Sequence, residues 1–455
     1  MQSKIESIAV KARESSRKLA SASSERKDNA LNEIAISLDK NKSAILKANK
    51  LDIIQAEKSR LSQSLLARLK LSDEKISEII SSVHGVIFQD EPVGKTLSAV
   101  EMDNGLELFQ VTCPIGVIGV IFESRPDAAV QISSLCIKSG NAVIMKGGSE
   151  AVNSNRILVG IIRESLKKSG LPPDSVQLIE TREDVKQMLS MDKYIDLIVP
   201  RGSNSFVKFI KENTKIPVVG HDEGICHLYI DKKAGMKKAL DISFDAKCQY
   251  PAVCNAMETL LVHKDIANKF LPKIAERYKD AKVEIRGDDA VIKILKGQKG
   301  FSVKKAVEKD WATEYNDMII SIKVVNSVEE AISHINKFGS RHTEAIITKD
   351  DKSAFKFLND VDASSVMRNC STRFADGFRY GKGAELGIST AKLHPRGPVG
   401  LEGLVTYKYI LVGNGHVVAS YSGKKPRMFT HKKIDKLWHK SFSEGNEDIV
   451  KHTNI

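Results

Sequence analysis

The chain has 455 residues, 42% of them hydrophobic, and a formal net charge of +13. That length calls for two or three domains with real cores, and no apolar run approaches the roughly 18 residues of a membrane helix. The lysines are interleaved with acids along residues 4–75, the pattern of solvated faces rather than of a nucleic-acid site.

The N-terminus, MQSKIESIAVKARESSRK, lacks the apolar centre of a signal peptide, so a soluble cytoplasmic protein is expected. Six cysteines at 113, 136, 226, 248, 254 and 370 form no C-x-x-C pair and no cysteine–histidine grouping at metal spacing. Reduced thiols and no metal are therefore expected. The densest basic run is Lys424, Lys425, Arg427, Lys432 and Lys433, and its aromatics Phe429 and Trp438 form no base-stacking array. An anionic small molecule is the other outlet for a basic surface.

Residues 1–90 read as helices, with Ile76, Ile79, Ile80 and Val83 on one buried stripe. In AVEMDNGLELFQV, residues 99–111, Asn104-Gly105 separates two apolar runs and predicts a hairpin. From 115 onward IGVIGVIF, NAVIMK, VQLIE and YIDLIVP each precede an amphipathic stretch. Short apolar strands alternating with helices imply a parallel sheet covered on both faces. A second α/β stretch begins near 231 with the helix-like GMKKALDISFDAK, a loop around Cys254 and the strand-like ETLLV. IISIKVVNS, EEAISHINKF and EAIITKD then read as strand, helix, strand. Residues 377–403 are Gly-rich loop, and a second hairpin is predicted around Asn414-Gly415. The expected division is a cofactor-binding domain 1–230 (with the hairpin at about 99–112), a catalytic domain 231–385, a return segment and hairpin 386–420, and a basic tail 421–455. Two hairpins with open edges point to a homo-oligomer.

Cys254 lies just after Pro251, between a helix and a strand, where a thiol can be exposed and activated. Position alone equally describes a buried structural cysteine. Its segment, KCQYPAVCNAMETLLV, resembles the nucleophile segment of the γ-glutamyl phosphate reductases, a branch of the aldehyde dehydrogenase superfamily. The resemblance runs from about residue 5 to 415, through PIGVIGVIFESRP, KSGNAVIMKGGSEA, YIDLIVPRGSNSFV, GHDEGICHLYID, RHTEAIIT and NCSTRFADGFRYGKGAELGISTAKLHPRGPVGLEGL.

The resemblance implies an aldehyde dehydrogenase-like fold, in which a Rossmann-like cofactor domain joins an α/β catalytic domain and a small oligomerisation hairpin. It makes Cys254 the nucleophile, forming a thioester with the γ-acyl phosphate that NADPH then reduces to glutamate 5-semialdehyde, a step of proline biosynthesis. No G-x-G-x-x-G follows the first strand, and these relatives hold the cofactor differently. Lys146 and Gly147 lead into Ser149, which stands where NAD-using relatives carry a glutamate, and a lysine with a serine suits the 2′-phosphate of NADPH. Gly202 and Ser203 match the pyrophosphate-side loop. Glu314 matches a nicotinamide-ribose acid, although a plain surface glutamate reads as well.

Ser124, beside Arg125, replaces the oxyanion asparagine of hydrolytic relatives. The place of their general base holds Gly220 and His221, so water should not consume the thioester. Arg373, Arg125 and His221 are candidates for the substrate's anionic groups, with structural ion pairing as the alternative for each. Asn369 matches a wall segment near the cysteine, or packs. The competing readings are a hydrolytic or coenzyme A-dependent relative and, from another class, a basic nucleic-acid binder. Docking onto glutamate 5-kinase, which would make the unstable substrate, is a further expectation.

Overall fold

The computed structural model describes residues 3–202, 204–220, 223–298 and 303–441. Ser203, His221 and the last part of the basic tail lie outside the described residues. The chain opens with helices Lys4–Ala20, Ser24–Lys40, Lys42–Lys58, Gln63–Leu69 and Asp73–Ile87. Three of them start on a serine hydroxyl that takes an otherwise unpaired amide: Ser3 from Glu6, Ser23 from Arg26 and Ser72 from Lys75. Ile76, Ile79 and Val83 are buried as the periodicity required, with Ile80 half-buried beside them. The Lys138–Asp28 pair (2.6 Å) and the Lys27 ammonium, which donates to the Lys138 carbonyl (3.1 Å) and pairs with buried Glu91 (2.5 Å), fix this helical layer to the helix Pro126–Lys138.

β1 (Thr96–Asp103) and β2 (Leu106–Pro114) form the hairpin expected at Asn104-Gly105. Only Gly105, at φ 74°, takes the left-handed conformation there. β3 (Val117–Ile121), β4 (Ala142–Lys146), β5 (Val176–Ile179) and β6 (Leu197–Pro200) then make a parallel sheet in the order β5-β4-β3-β6. Apart from Lys146 and Gln177, its strands are apolar because they feed two cores in alternation. Ile118, Val120, Val143 and Met145 face one core, whereas Val117, Ile121, Ala142 and Ile144 face the other.

The second sheet starts earlier than expected. β7 (Cys226–Ile230) pairs with β8 (Met257–His263), not with the first sheet, so the boundary falls before 226 rather than at 230. Strand partners are chosen by non-local packing, which local pattern does not show. β9 (Glu284–Gly287), β10 (Val303–Lys305), β11 (Ile319–Val325), β12 (Thr343–Ile347) and β13 (Ser365–Arg368) complete a parallel sheet ordered β10-β9-β11-β8-β7-β12-β13.

The chain then returns to the first unit. Leu386, Val399, Leu401 and Leu404 enter its core, around the short pair β14 (Ile388–Ser389) and β15 (Gly397–Pro398). The expected second hairpin is absent. β16 (Val405–Val412) runs antiparallel to β2 along its whole length, and the chain beyond Gly415 turns into the short helix Val418–Tyr421. Part of the supposed tail is folded too: β17 (Lys432–Lys433) pairs with β1, giving the sheet order β16-β2-β1-β17. The tail's cations meet the hairpin's acids, Arg427 with Asp103 (2.5 Å) and Lys436 with Glu107 (2.7 Å).

Candidate active site

Ligands of open parallel sheets bind at the carboxyl ends of the strands, and both relevant cavities lie there. The larger, about 480 Å³, opens past the ends of β3 and β4 and is lined by Phe122, Ser124, Lys146, Gly148, Ser149 and Arg182, among others. Gly148 packs so closely on the Glu150 carboxylate that an added Cβ would lie 1.9 Å from its Oε1. At Gly147 a Cβ would meet the Asn155 amide at 2.1 Å. Lys146 and Ser149, named from the sequence, line this cleft as expected, together with Arg182 and Lys186 from the helix Arg182–Met188, which sequence reasoning missed. Burial lowers the Lys146 pKa, the Glu150 carboxylate opposes that shift, and Arg182 adds to it.

Ser124 is not available as an oxyanion donor. Both its amide (2.6 Å) and its hydroxyl (2.5 Å) donate to Glu150 Oε1, and the residue is 3% exposed at φ 38°. An acid one position beyond Ser149 captures it, a contact that the linear order of ESRP and GGSE does not reveal.

The second cavity, about 150 Å³, lies past β6 and contains Cys254, with Arg201, Gly202, Gly220, Glu385 and Ile388 among its walls. The helix Met236–Cys248 delivers the nucleophile loop and β8 carries it away. Across the loop Lys247 and Glu258 form a fully buried pair at 2.6 Å. Burial is the main cause that pushes the Glu258 carboxyl up to about 7, against the pull of Lys247. Asn255 Nδ2 donates to the Ala375 carbonyl (2.9 Å), and the Cys226 thiol to the Cys254 carbonyl (3.2 Å). Gly224 touches the same backbone, and a Cβ there would sit 2.5 Å from Cys254 Cα. The Cys254 main chain is thus held by Cys226 and Gly224, and the Asn255 side chain anchors the residue after it.

Its thiol is partly exposed and pushed up to about 12, by burial first and then by the charges of Glu385 and Glu314, against the pull of Arg201. Sequence reasoning expected a lowered value; burial is the main reason for the difference, with the acid from the return segment adding to it. Below its pKa a thiol gains thiolate about tenfold per pH unit. Alkylation of Cys254 by iodoacetamide should therefore climb steadily from pH 7 to pH 10. A plateau below pH 9 would show a preformed thiolate and refute this account.

Of the other candidates, Arg373 is 9% exposed, donates from Nε to Gln249 Oε1 (3.1 Å) and lies within the field of Cys254, with Arg379 as a like-charged neighbour. Arg125 is paired with Asp127 at 2.8 Å. Asn369, at φ 57°, uses its side-chain amide on both backbone groups of Thr348 (3.0 and 2.9 Å), so its role is packing. Glu314 accepts from Asn204 Nδ2 (3.2 Å), which ties the two sheet units together near the thiol.

Arg201 and Glu385 were missed. Arg201 directly follows the strand-ending Pro200, and its buried Nη1 has no hydrogen-bond partner among the described residues. A charge just past an apolar parallel strand was the available signal. Glu385 carried none, because only the return of the chain brings it here. Among the described residues no helix is long and apolar enough to cross a membrane, and no group of three or more His, Cys, Asp or Glu could hold a metal ion.

Residues 1–294 match the model of the aldehyde dehydrogenase family. The chain is 55% identical over 440 residues to a γ-glutamyl phosphate reductase of Methanococcoides burtonii, covering 96% of this chain and 98% of that one. A crystal structure of γ-glutamyl phosphate reductase from Thermotoga maritima matches with a TM-score of 0.88 at 42% identity, over 91% of this chain and 100% of that one. A glyceraldehyde-3-phosphate dehydrogenase from Methanocaldococcus jannaschii, complexed with NADP, shares the fold at TM-score 0.64 and 17% identity, over 90% and 94% of the two chains. The chain belongs to the aldehyde dehydrogenase family, in its γ-glutamyl phosphate reductase branch.

Proposed function

We propose that this chain reduces L-glutamyl 5-phosphate to L-glutamate 5-semialdehyde and phosphate through a thioester on Cys254, within proline biosynthesis. The observation that carries this reading is the Cys254 cavity, which sets the thiol beside Arg201 at the end of β6, with Arg373 within its field. The Cys254 sulfur attacks the γ-acyl carbon, the carbon–sulfur bond forms and the bond to the phosphate oxygen breaks. The thiolate is the attacking species, so the thiol gives up its proton for this step, and that proton can leave with the departing group as hydrogen phosphate. The Cys254 amide remains as a donor for the developing oxyanion, in place of Ser124.

The larger cleft fits a phosphorylated dinucleotide: Lys146, Arg182 and Lys186 gather where a 2′-phosphate needs cations, while Glu150 is engaged by Ser124. When bound, NADPH supplies the hydride that reduces the thioester carbonyl. A charge-assisted contact is worth about 1.5–3 kcal/mol, or roughly ten- to a hundredfold in preference. Arg182→Ala and Ser149→Glu should each cut the NADPH-over-NADH ratio of kcat/KM by that much. Equal losses with both cofactors would remove these residues from the ribose site.

An oligomer is also part of the proposal. β16 lies at the edge of its sheet and exposes Tyr407, Tyr409 and Leu411 at every second position.

A further inference from the structure

We infer that Arg201 and Glu385 form the recognition pair for the α-amino-acid head of the substrate, Arg201 taking its carboxylate and Glu385 its ammonium. This rests on the function proposed above and adds to it the groups that select an amino acid over a simple dicarboxylate.

The two residues come from opposite ends of the chain's path through the site. Arg201 follows β6, and Glu385 lies on the return segment just before β14. Both line the small cavity that holds Cys254, and each has unused bonding capacity. Arg201 Nη1 is buried without a partner among the described residues, although an unpaired guanidinium nitrogen out of water costs free energy unless a ligand satisfies it. Glu385 accepts from the Gly377 amide through Oε2 at 2.8 Å, which leaves Oε1 for another donor. The two groups feel each other's charge yet form no ion pair among the described residues. A cation and an anion standing apart in one cavity match a ligand that carries both signs on adjacent atoms.

The same electrostatics decides which end of the substrate lies here. A phosphate dianion beside Arg201 would also face the Glu385 carboxylate in the same small cavity, whereas Arg373 lies outside that lining, with Arg379 as its strongest charged neighbour ahead of the acids Asp245 and Asp376. The zwitterionic head therefore belongs with Arg201 and Glu385, and the phosphate with Arg373. Val199, Val207 and Val219 line the same cavity and suit the methylene chain between them.

The test uses the full-length enzyme in the oxidative direction, with NADP, phosphate and three aldehydes. These are glutamate 5-semialdehyde, 5-oxopentanoate (no ammonium) and 4-aminobutanal (no carboxylate). Glu385→Gln should reduce the kcat/KM ratio of semialdehyde to 5-oxopentanoate by about ten- to a hundredfold. Arg201→Met should reduce the ratio of semialdehyde to 4-aminobutanal by a similar factor. Uniform losses on all three aldehydes would overturn the inference while leaving the reductase reading intact. Failure of the wild type to oxidise the semialdehyde at all would instead overturn that reading. The wild type supplies a check that does not depend on folded variants: L-glutamate should protect Cys254 from iodoacetamide at least tenfold better than glutarate or 4-aminobutyrate. Equal protection by the three would refute the pair.

Discussion

Cys254→Ala should abolish turnover in both directions while leaving the fold and cofactor binding near wild type. In the proposed mechanism the thiol is the covalent carrier, and no other described cysteine shares its cavity. Cys136 and Cys226 are buried and held strongly as thiols by burial, so neither can replace it. Cys113, Cys248 and Cys370 are raised as well, mainly by burial, and line neither cavity. Their substitution should leave turnover within a few-fold. The exception to watch is Cys226, whose sulfur donates to the Cys254 carbonyl. Cys226→Ser keeps a donor there and should be milder than Cys226→Ala. Substantial activity in Cys254→Ala, measured with mass spectrometry to exclude wild-type contamination, would end the thioester mechanism.

Oxidation of glutamate 5-semialdehyde should depend on inorganic phosphate. With NADP but no phosphate, about one NADPH per Cys254 is expected, as a burst, because the thioester then has no good acceptor. Gly220 lines the cavity where hydrolytic relatives keep their base, and it brings no carboxylate. Adding phosphate should start steady turnover, and arsenate should substitute. Arg373→Ala should raise the phosphate requirement by ten- to a hundredfold, the range expected for losing one charge-assisted contact, with little change in cofactor affinity. Glu385 gives the experiment a sharp alternative. A steady phosphate-free rate that disappears in Glu385→Gln would show that this carboxylate activates water, and would move the chain to hydrolytic chemistry.

Much of the scaffold was legible because its signals are local. Four apolar runs, each followed by an amphipathic stretch, became β3 to β6, and Asn104-Gly105 became a two-residue turn. Asn414-Gly415 carries the same dipeptide and makes no hairpin: β16 pairs with β2 on one side, and the following chain turns into the short helix Val418–Tyr421 instead of pairing along its open edge. Local turn chemistry proposes a pairing, and competition among strands decides it. The site divides in the same way. Lys146 and Ser149 follow directly from a strand end, and both line the larger cleft. Ser124 depended on Glu150, 26 positions away, and Glu385 on the return of the chain, so neither could be read from neighbours in the sequence.

That return has a mechanical consequence. Residues 226–368 build the second sheet, while Ala384, Leu386, Val399, Leu401 and Leu404 pack in the same core as Ile118 and Val143. The catalytic unit is therefore an insertion within the cofactor unit, joined to it by two chain crossings rather than one linker. A body tethered at two points keeps one easy motion, rotation about the line through them, and loses free translation and twist. Arg201 and Glu385 each lie beside one of those crossings, on the stationary side, while Cys254 is carried by the rotating side. Small rotations about that axis change how closely the sulfur approaches the fixed pair, which makes the cavity's width, rather than its chemistry, the degree of freedom left to the protein.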